Sequence, residues 1–241
     1  MEMPNEVQHQ VMGYDRTATM FSPDGHLLQV EYAEKTVRLG SSSIGLVCSD
    51  GVVIVADRRI NDILILPESA NKIFEIDEHI LSSAAGILSD ARVLIERGQI
   101  LAQQHRVTYD SPIDVESVIK EIANTKQLST QYGGLRPFGV SILMTGVSHG
   151  KSKLFVSDIT GNYFSYTAMA IGENDEKIKE ILRKDYDKNI NIEGGIKLAL
   201  DIFRQILKKN FELSRFDVAY VSLKEPKIKR LSGDSLKKFL K

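Results

Sequence analysis

Apolar positions near the start of the chain repeat at helical spacing. Leu27, Val30, Ala33 and Val37 place one apolar stripe on a helix, and Gly40 supplies its stop. Just ahead, Ser22-Pro23-Asp24-Gly25 reads as a turn in which Pro23 fixes φ, Asp24 can bond its own downstream backbone and Gly25 tolerates positive φ. The period then changes. "SSIGLVCSDGVVIVADRR" holds two runs rich in Val and Ile around Ser49-Asp50-Gly51, the pattern of a β-hairpin, and β signal returns at residues 79–85.

A helix beginning near Ser89 is predicted to carry Val93, Leu94 and Leu101 on one face. A second carries Val115, Val118, Ile119 and Ile122, with Asp114 as its N-cap. "QYGGLRPFG" breaks the helical pattern, and "VSILMTGV", "SKLFVS" and "NYFSYTAMA" read as three successive strands. Helices fit 173–187 and 192–209, the latter with Ile196, Ala199, Leu200 and Phe203 in register. The strand "RFDVAYVSL", an edge strand near "KIKRL" and a short helix from Asp234 complete the chain. Grouped strands alternating with grouped helices argue for an α+β layered architecture, with singly striped helices packed outside stacked sheets. No internal repeat or linker interrupts the pattern, so residues 1–241 are expected to form one domain. Residues 1–12 are expected to be a flexible polar arm, and 13–40 a turn and helix ahead of the main body.

Bulk charge removes some partners. With 31 basic against 32 acidic residues the net charge is −1, which offers no general attraction for nucleic acid or an anionic membrane. The single cysteine, Cys48, cannot form an internal disulfide and lies in an apolar run, as expected of a buried, inert thiol in a reducing compartment. The N-terminal stretch lacks the basic and apolar regions of a secretory signal, so a soluble, cytoplasmic chain is expected. His9, His26, His79, His105 and His149 show no HxH or HxxxH spacing, and the acids of "GENDEKIKE" read as a solvated helix face; neither a metal nor a cofactor is expected.

Several longer motifs then become specific. "YDRTATMFSPDGHLLQVEYAEKTVRLG", "GVVIVADRR", "NKIFEID", "SDARVLIERGQILAQQHRVTYD" and "TQYGGLRPFGVSIL" closely resemble the α subunits of the 20S proteasome, especially the single-type α subunits of archaea. The resemblance runs in order from about residue 13 to about residue 223. It implies a four-layer αββα sandwich of two antiparallel sheets, the fold of N-terminal nucleophile hydrolases. It further implies a seven-membered α ring stacked on rings of β subunits, with unfolded proteins passing through.

Catalytic relatives in that family expose a Thr by cleavage after a Gly and use its own amine as base, with an Asp and a Lys nearby. The matching positions here are Gly40-Ser41, Asp57 and Lys72, and the position of the Thr holds Ser41. A self-processing hydrolase with Ser41 as nucleophile is therefore the alternative to a non-catalytic member of the ring, and a stand-alone binding module is a third reading. In the non-catalytic reading, Asp57 with Arg58 and Arg59 forms a structural charge cluster.

The resemblance also assigns gating and docking roles. Tyr14, Asp15, Pro23 and Tyr32 match the cluster that holds the axial gate open, although the same residues could simply anchor the helix. Tyr132, Gly133, Gly134, Leu135 and Arg136 match the loop that narrows the channel beneath the gate, where a plain turn is the simpler alternative. Lys72 and Gly86 match the pocket that captures the C-terminal tail of a regulatory AAA ATPase, and His26, Leu27 and Glu31 match its tyrosine-binding part. The chain departs from the archaeal pattern at His26 and Glu34, where arginine is usual, and this bears on contacts with neighbours and activators.

Overall fold

The computed structural model describes residues 11–60 and 64–240. Helix α1 (Leu28–Leu39) follows the predicted turn, in which the Gly25 N–H donates to Ser22 O at 2.9 Å and Gly25 adopts φ +80°. Gly40 ends the helix, its N–H reaching Val37 O at 3.0 Å. Strands β1 (Ser43–Cys48) and β2 (Gly51–Asp57) form the predicted hairpin, in register from Cys48 opposite Gly51 to Ser43 opposite Ala56.

Strands β3 (Ile73–Asp77) and β4 (Ile80–Gly86) lead into helices α2 (Leu88–Tyr109) and α3 (Val115–Gln131). Next come β5 (Val140–Ser148), β6 (Lys151–Ser157), β7 (Tyr163–Ser165) and β8 (Ala168–Ile171). Helices α4 (Asp175–Asp185) and α5 (Ile192–Leu207) and strands β9 (Phe216–Ser222) and β10 (Ile228–Leu231) follow, and a 3-10 segment covers Gly233–Leu240.

The strands form two antiparallel five-stranded sheets, ordered β10-β9-β2-β1-β8 and β3-β4-β5-β6-β7. Alternation along β2 shows how they stack. Val53 and Val55 face α4 and α5, where they join Ile196 and Phe203, while Val52, Ile54 and Ala56 face the other sheet at Leu81, Leu143 and Leu154. On the far side Ile80, Ile142 and Met144 pack under Leu94, Val118 and Ile122 of α2 and α3. Both faces of each sheet are thus covered, and all seven residues of β2 are buried. At about 1.5–3 kcal/mol for each fully buried Val or Ile side chain, this four-layer α+β sandwich is held chiefly by its three apolar layers.

Four details differ from the sequence expectation. "NYFSYTAMA" is not one strand: Tyr166 N donates to Leu154 O of β6 at 2.9 Å, whereas Thr167 O accepts from Val47 N of β1 at 2.8 Å. The chain therefore changes sheet across a single peptide, and β7 and β8 lie in different layers. Val93 is exposed on α2 while Leu94 is buried, because the stripe that meets the sheet runs through Ala91, Leu94, Ile95 and Gly98. Asp114 is the N-cap residue of α3 as expected, but its side chain makes no capping bond, and its two carboxylate oxygens accept from Lys153 Nζ at 2.8 Å. The terminal segment is 3-10 and not α-helical. Most of the predicted arm lies outside the described residues; Val11 and Met12 within it are helical and exposed.

Candidate functional site

Strand pairing brings the hydrolase-like residues together at one end of the sandwich. Asp57 closes β2 opposite Phe216, the first residue of β9, so the preceding Arg215 sits beside it. Asp57 Oδ2 accepts from the Arg215 guanidinium at 2.6 Å, and Oδ1 accepts from Arg215 Nε and the Arg59 amide, each at 3.1 Å. The expected charge cluster is present, with Arg215 as a member that local pattern could not reveal. Arg58 Nε lies 3.6 Å from Asp217 Oδ1, and Arg59 pairs with Glu173.

Lys72 lies just ahead of β3. Its amide donates to Asp217 Oδ2 at 2.8 Å and its carbonyl accepts from Ser83 Oγ at 2.9 Å, while Ser83 Oγ is 2.7 Å from Ser43 Oγ. The residue is only 4% exposed, and its ammonium has no hydrogen-bond partner among the described residues. Burial pushes the Lys72 amine down to about 8, against the opposing pull of Asp57, and Arg59 lowers it further. The strand end therefore carries a cation largely stripped of water and without a matched anion.

Gly86 ends β4 beside it at φ +120°. A Cβ on Gly86 would stand 2.2 Å from Gly139 O, and one on Gly40 would stand 2.3 Å from Gly86 N. Helix α1 is consequently joined to β4 and β5 backbone against backbone. The Thr36 hydroxyl reinforces the joint, 2.8 Å from Gly139 O. Gly40 O accepts from Glu173 N at 2.8 Å, and Ser42 Oγ donates to Glu173 O, so the segment around Ser41 is tied in on both sides.

His26, Leu27 and Glu31 sit at the other end of α1, where His26 Nδ1 and Glu31 Oε1 form a short pair. At 1.5 Å per residue, Glu31 and Gly40 are about 13 Å apart along the helix axis. Within one chain the two parts of the expected tail pocket are thus separate patches. Glu34 is exposed and borders a cleft of about 280 Å³ shared with Asp175, Glu176 and Phe164.

Among the gate residues, Asp15 is tied to α1 by its carbonyl, which accepts from Gln29 Nε2 at 2.5 Å. Pro23 occupies the exposed turn, and Lys35 Nζ stands 5.2 Å from the centre of the Tyr32 ring. Tyr14 lies in the turn region that precedes this segment.

In the 132–136 loop, Tyr132 and Leu135 are exposed and Gly134 has φ +85°. Arg136 is held within the chain. Its guanidinium grips both oxygens of Asp90 at 2.6 and 2.7 Å, and Asp90 Oδ2 also accepts from Gly139 N at 2.9 Å. Arg136 holds the Asp90 carboxyl below the usual carboxylate range and anchors the loop to the first turn of α2.

Cys48 is buried, and desolvation, aided by Asp50, pushes its thiol up to about 12, so it stays protonated. No three His, Cys, Asp or Glu side chains among the described residues gather as a metal-holding group. No helix among them is long and apolar enough to cross a membrane.

Comparison with known proteins adds a family. The family model described as "Proteasome subunit" matches residues 37–221, and the model for the N-terminal signature of A-type proteasome subunits matches residues 14–35. The chain is 41% identical over 229 residues to the proteasome α subunit of Methanosarcina acetivorans, covering 95% of this chain and 93% of that one. It is also 41% identical over 228 residues to the protein of that name from Pyrococcus horikoshii, covering 95% and 87%. Against the counterpart from Methanocaldococcus jannaschii the identity is 40% over 227 residues, covering 94% and 87%.

Proposed function

The chain belongs to the proteasome α-subunit family, and from that premise we propose that it is a non-catalytic subunit which gates substrate entry and docks the tails of a regulatory ATPase. Copies of it form the seven-membered outer ring on the β subunits of a 20S core particle. The arm and the Tyr14–Tyr32 segment form the gate, the exposed tip at Tyr132–Leu135 borders the channel, and Lys72 receives the tail's terminal carboxylate.

The observation that carries this reading is the buried, unmatched ammonium of Lys72. A carboxylate reaching it would meet a charge already removed from most of its water, where attraction exceeds that at an exposed lysine. The separation of about 13 Å between Glu31 and Gly40 suits a pocket assembled from two adjacent subunits. Seven such sites around a ring would add avidity to a weak single contact. Asp57 supports the absence of catalysis by this chain, because its carboxylate is engaged by Arg215 and not by Lys72.

One reconstitution tests both halves. Core particles assembled from this chain and β subunits should hydrolyse peptides faster when a synthetic tail peptide is added, and Lys72→Ala particles should not respond. Particles lacking residues 2–12 should be fast without any peptide. A normal response from Lys72→Ala would overturn the docking role, and unchanged basal rates after arm deletion would overturn the gate.

A further inference from the structure

Three carboxylates belong to the charge cluster beside Lys72, and each is paired with an arginine. Asp57 is gripped by Arg215 through both oxygens, Asp217 lies against Arg58, and Glu173 pairs with Arg59. The Asp217 carboxylate also accepts the Lys72 amide, which uses the lysine backbone and leaves its ammonium out. Among the described residues the balance is therefore three anions, three guanidiniums and one further buried cation.

Of the three acids, Asp57 is the one whose charge acts on Lys72 most favourably. Its side chain is 2% exposed, and without Arg215 the carboxylate would be a buried anion near a buried cation. The low dielectric would then favour an internal Lys72–Asp57 pair. Arg215 prevents it by position as well as charge. Its place next to the residue paired with Asp57 across β2 and β9 sets two guanidinium nitrogens on the two carboxylate oxygens, and Asn210 O accepts from a further guanidinium nitrogen at 2.8 Å.

We propose that Arg215 is the specificity-determining residue of the tail site: by closing Asp57 into an ion pair of its own, it leaves the Lys72 ammonium to a carboxylate from outside the chain. Arg215 touches no part of the tail and acts through Asp57. The inference rests on the reading of Lys72 as a carboxylate receptor.

The test uses core particles reconstituted from the full-length protein at pH 7 and two synthetic octapeptides with a penultimate tyrosine, one ending in a carboxylate and the other in an amide. Binding is read by fluorescence anisotropy. A charge-assisted contact should make the wild-type protein prefer the carboxylate form by about tenfold or more. In Arg215→Gln the preference should fall towards one, because Asp57 turns to Lys72. In the double variant Arg215→Gln/Asp57→Asn it should return, because no internal anion competes.

A wild-type preference that persists in Arg215→Gln overturns the inference while leaving Lys72 as the receptor. No preference in the wild type overturns the receptor reading and the inference with it. If Arg215→Gln does not fold while Arg215→Gln/Asp57→Asn does, the Asp57 carboxylate has found no partner in Lys72 and the inference is overturned; a folded double variant without preference overturns it as well.

Discussion

Lys72 and Lys126 are both buried, one at 4% exposure and the other at 0%, yet their surroundings are opposite. Lys126, on α3, donates to Ser157 O at 3.1 Å, Asp158 O at 3.0 Å and Ser157 Oγ at 3.4 Å, which uses all three of its protons. It ties the helix to the end of β6. Lys72 donates from its ammonium to nothing described. Burial lowers both amines, Lys126 to about 7 and Lys72 to about 8. Burial alone therefore does not separate a structural lysine from the receptor proposed at Lys72; the count of satisfied protons does.

The comparison can be broken at several points. Lys126→Met should have the largest effect, a loss of about 3–5 kcal/mol read from the urea midpoint, because the carbonyls of Ser157 and Asp158 are left buried without a donor. A loss below about 1 kcal/mol would show that those oxygens find water and that Lys126 is not a strut.

A smaller effect should appear in the pH dependence of tail-peptide binding. The Lys72 amine is held at about 8, below its ordinary value, so the ammonium is the main form below that pH and is lost above it. Carboxylate binding should thus be constant from pH 6 to 7.5 and weaken by up to about tenfold per unit well above pH 8. Folding has the opposite sign over the same range. The unfolded lysine keeps its proton up to about 10.5, so the burial penalty weighs on the native state below pH 8 and is relieved as the pH rises. Binding that is flat to pH 10 would remove Lys72 from the contact.

The smallest expected effect is on stability in Lys72→Met. No hydrogen bond from its ammonium is lost and a desolvated charge is removed, so the urea midpoint should shift by less than about 1 kcal/mol in either direction. A loss as large as that of Lys126→Met would mean that Lys72 is structural after all.

Much of the architecture was legible because it is local. The stripe of α1, the turn within the β1–β2 hairpin and the apolar faces of α3 and α5 are written in spacings of two to four residues. Strand β3 escaped such reading: "IFEID" is short, and a register shift between Glu75 and Asp77 disturbs its alternation. The sheet change at Tyr166–Thr167 was equally hidden, since only the partners of those residues distinguish one strand from two.

The candidate site divides in the same way. Lys72 and Gly86 were reached through family motifs, whereas Arg215 meets Asp57 across a sequence separation of 158 residues and Arg136 meets Asp90 across 46. Those pairings depend on strand register and loop return, which no local window contains. Arg136 shows what a motif leaves out, because its grip on Asp90 depends on a loop return that its neighbours in sequence do not display.

The glycines at the foot of α1 bear on how such a chain can change over time. Gly40, Gly86 and Gly139 meet so closely that a methyl group on Gly40 or Gly86 would collide with main-chain atoms, and one on Gly139 with the side chain of Ile87. The orientation of the helix is therefore set largely by atoms that every residue shares. Exposed positions such as His26 and Glu34 lie away from that mount, so substitutions there leave the setting of the helix untouched.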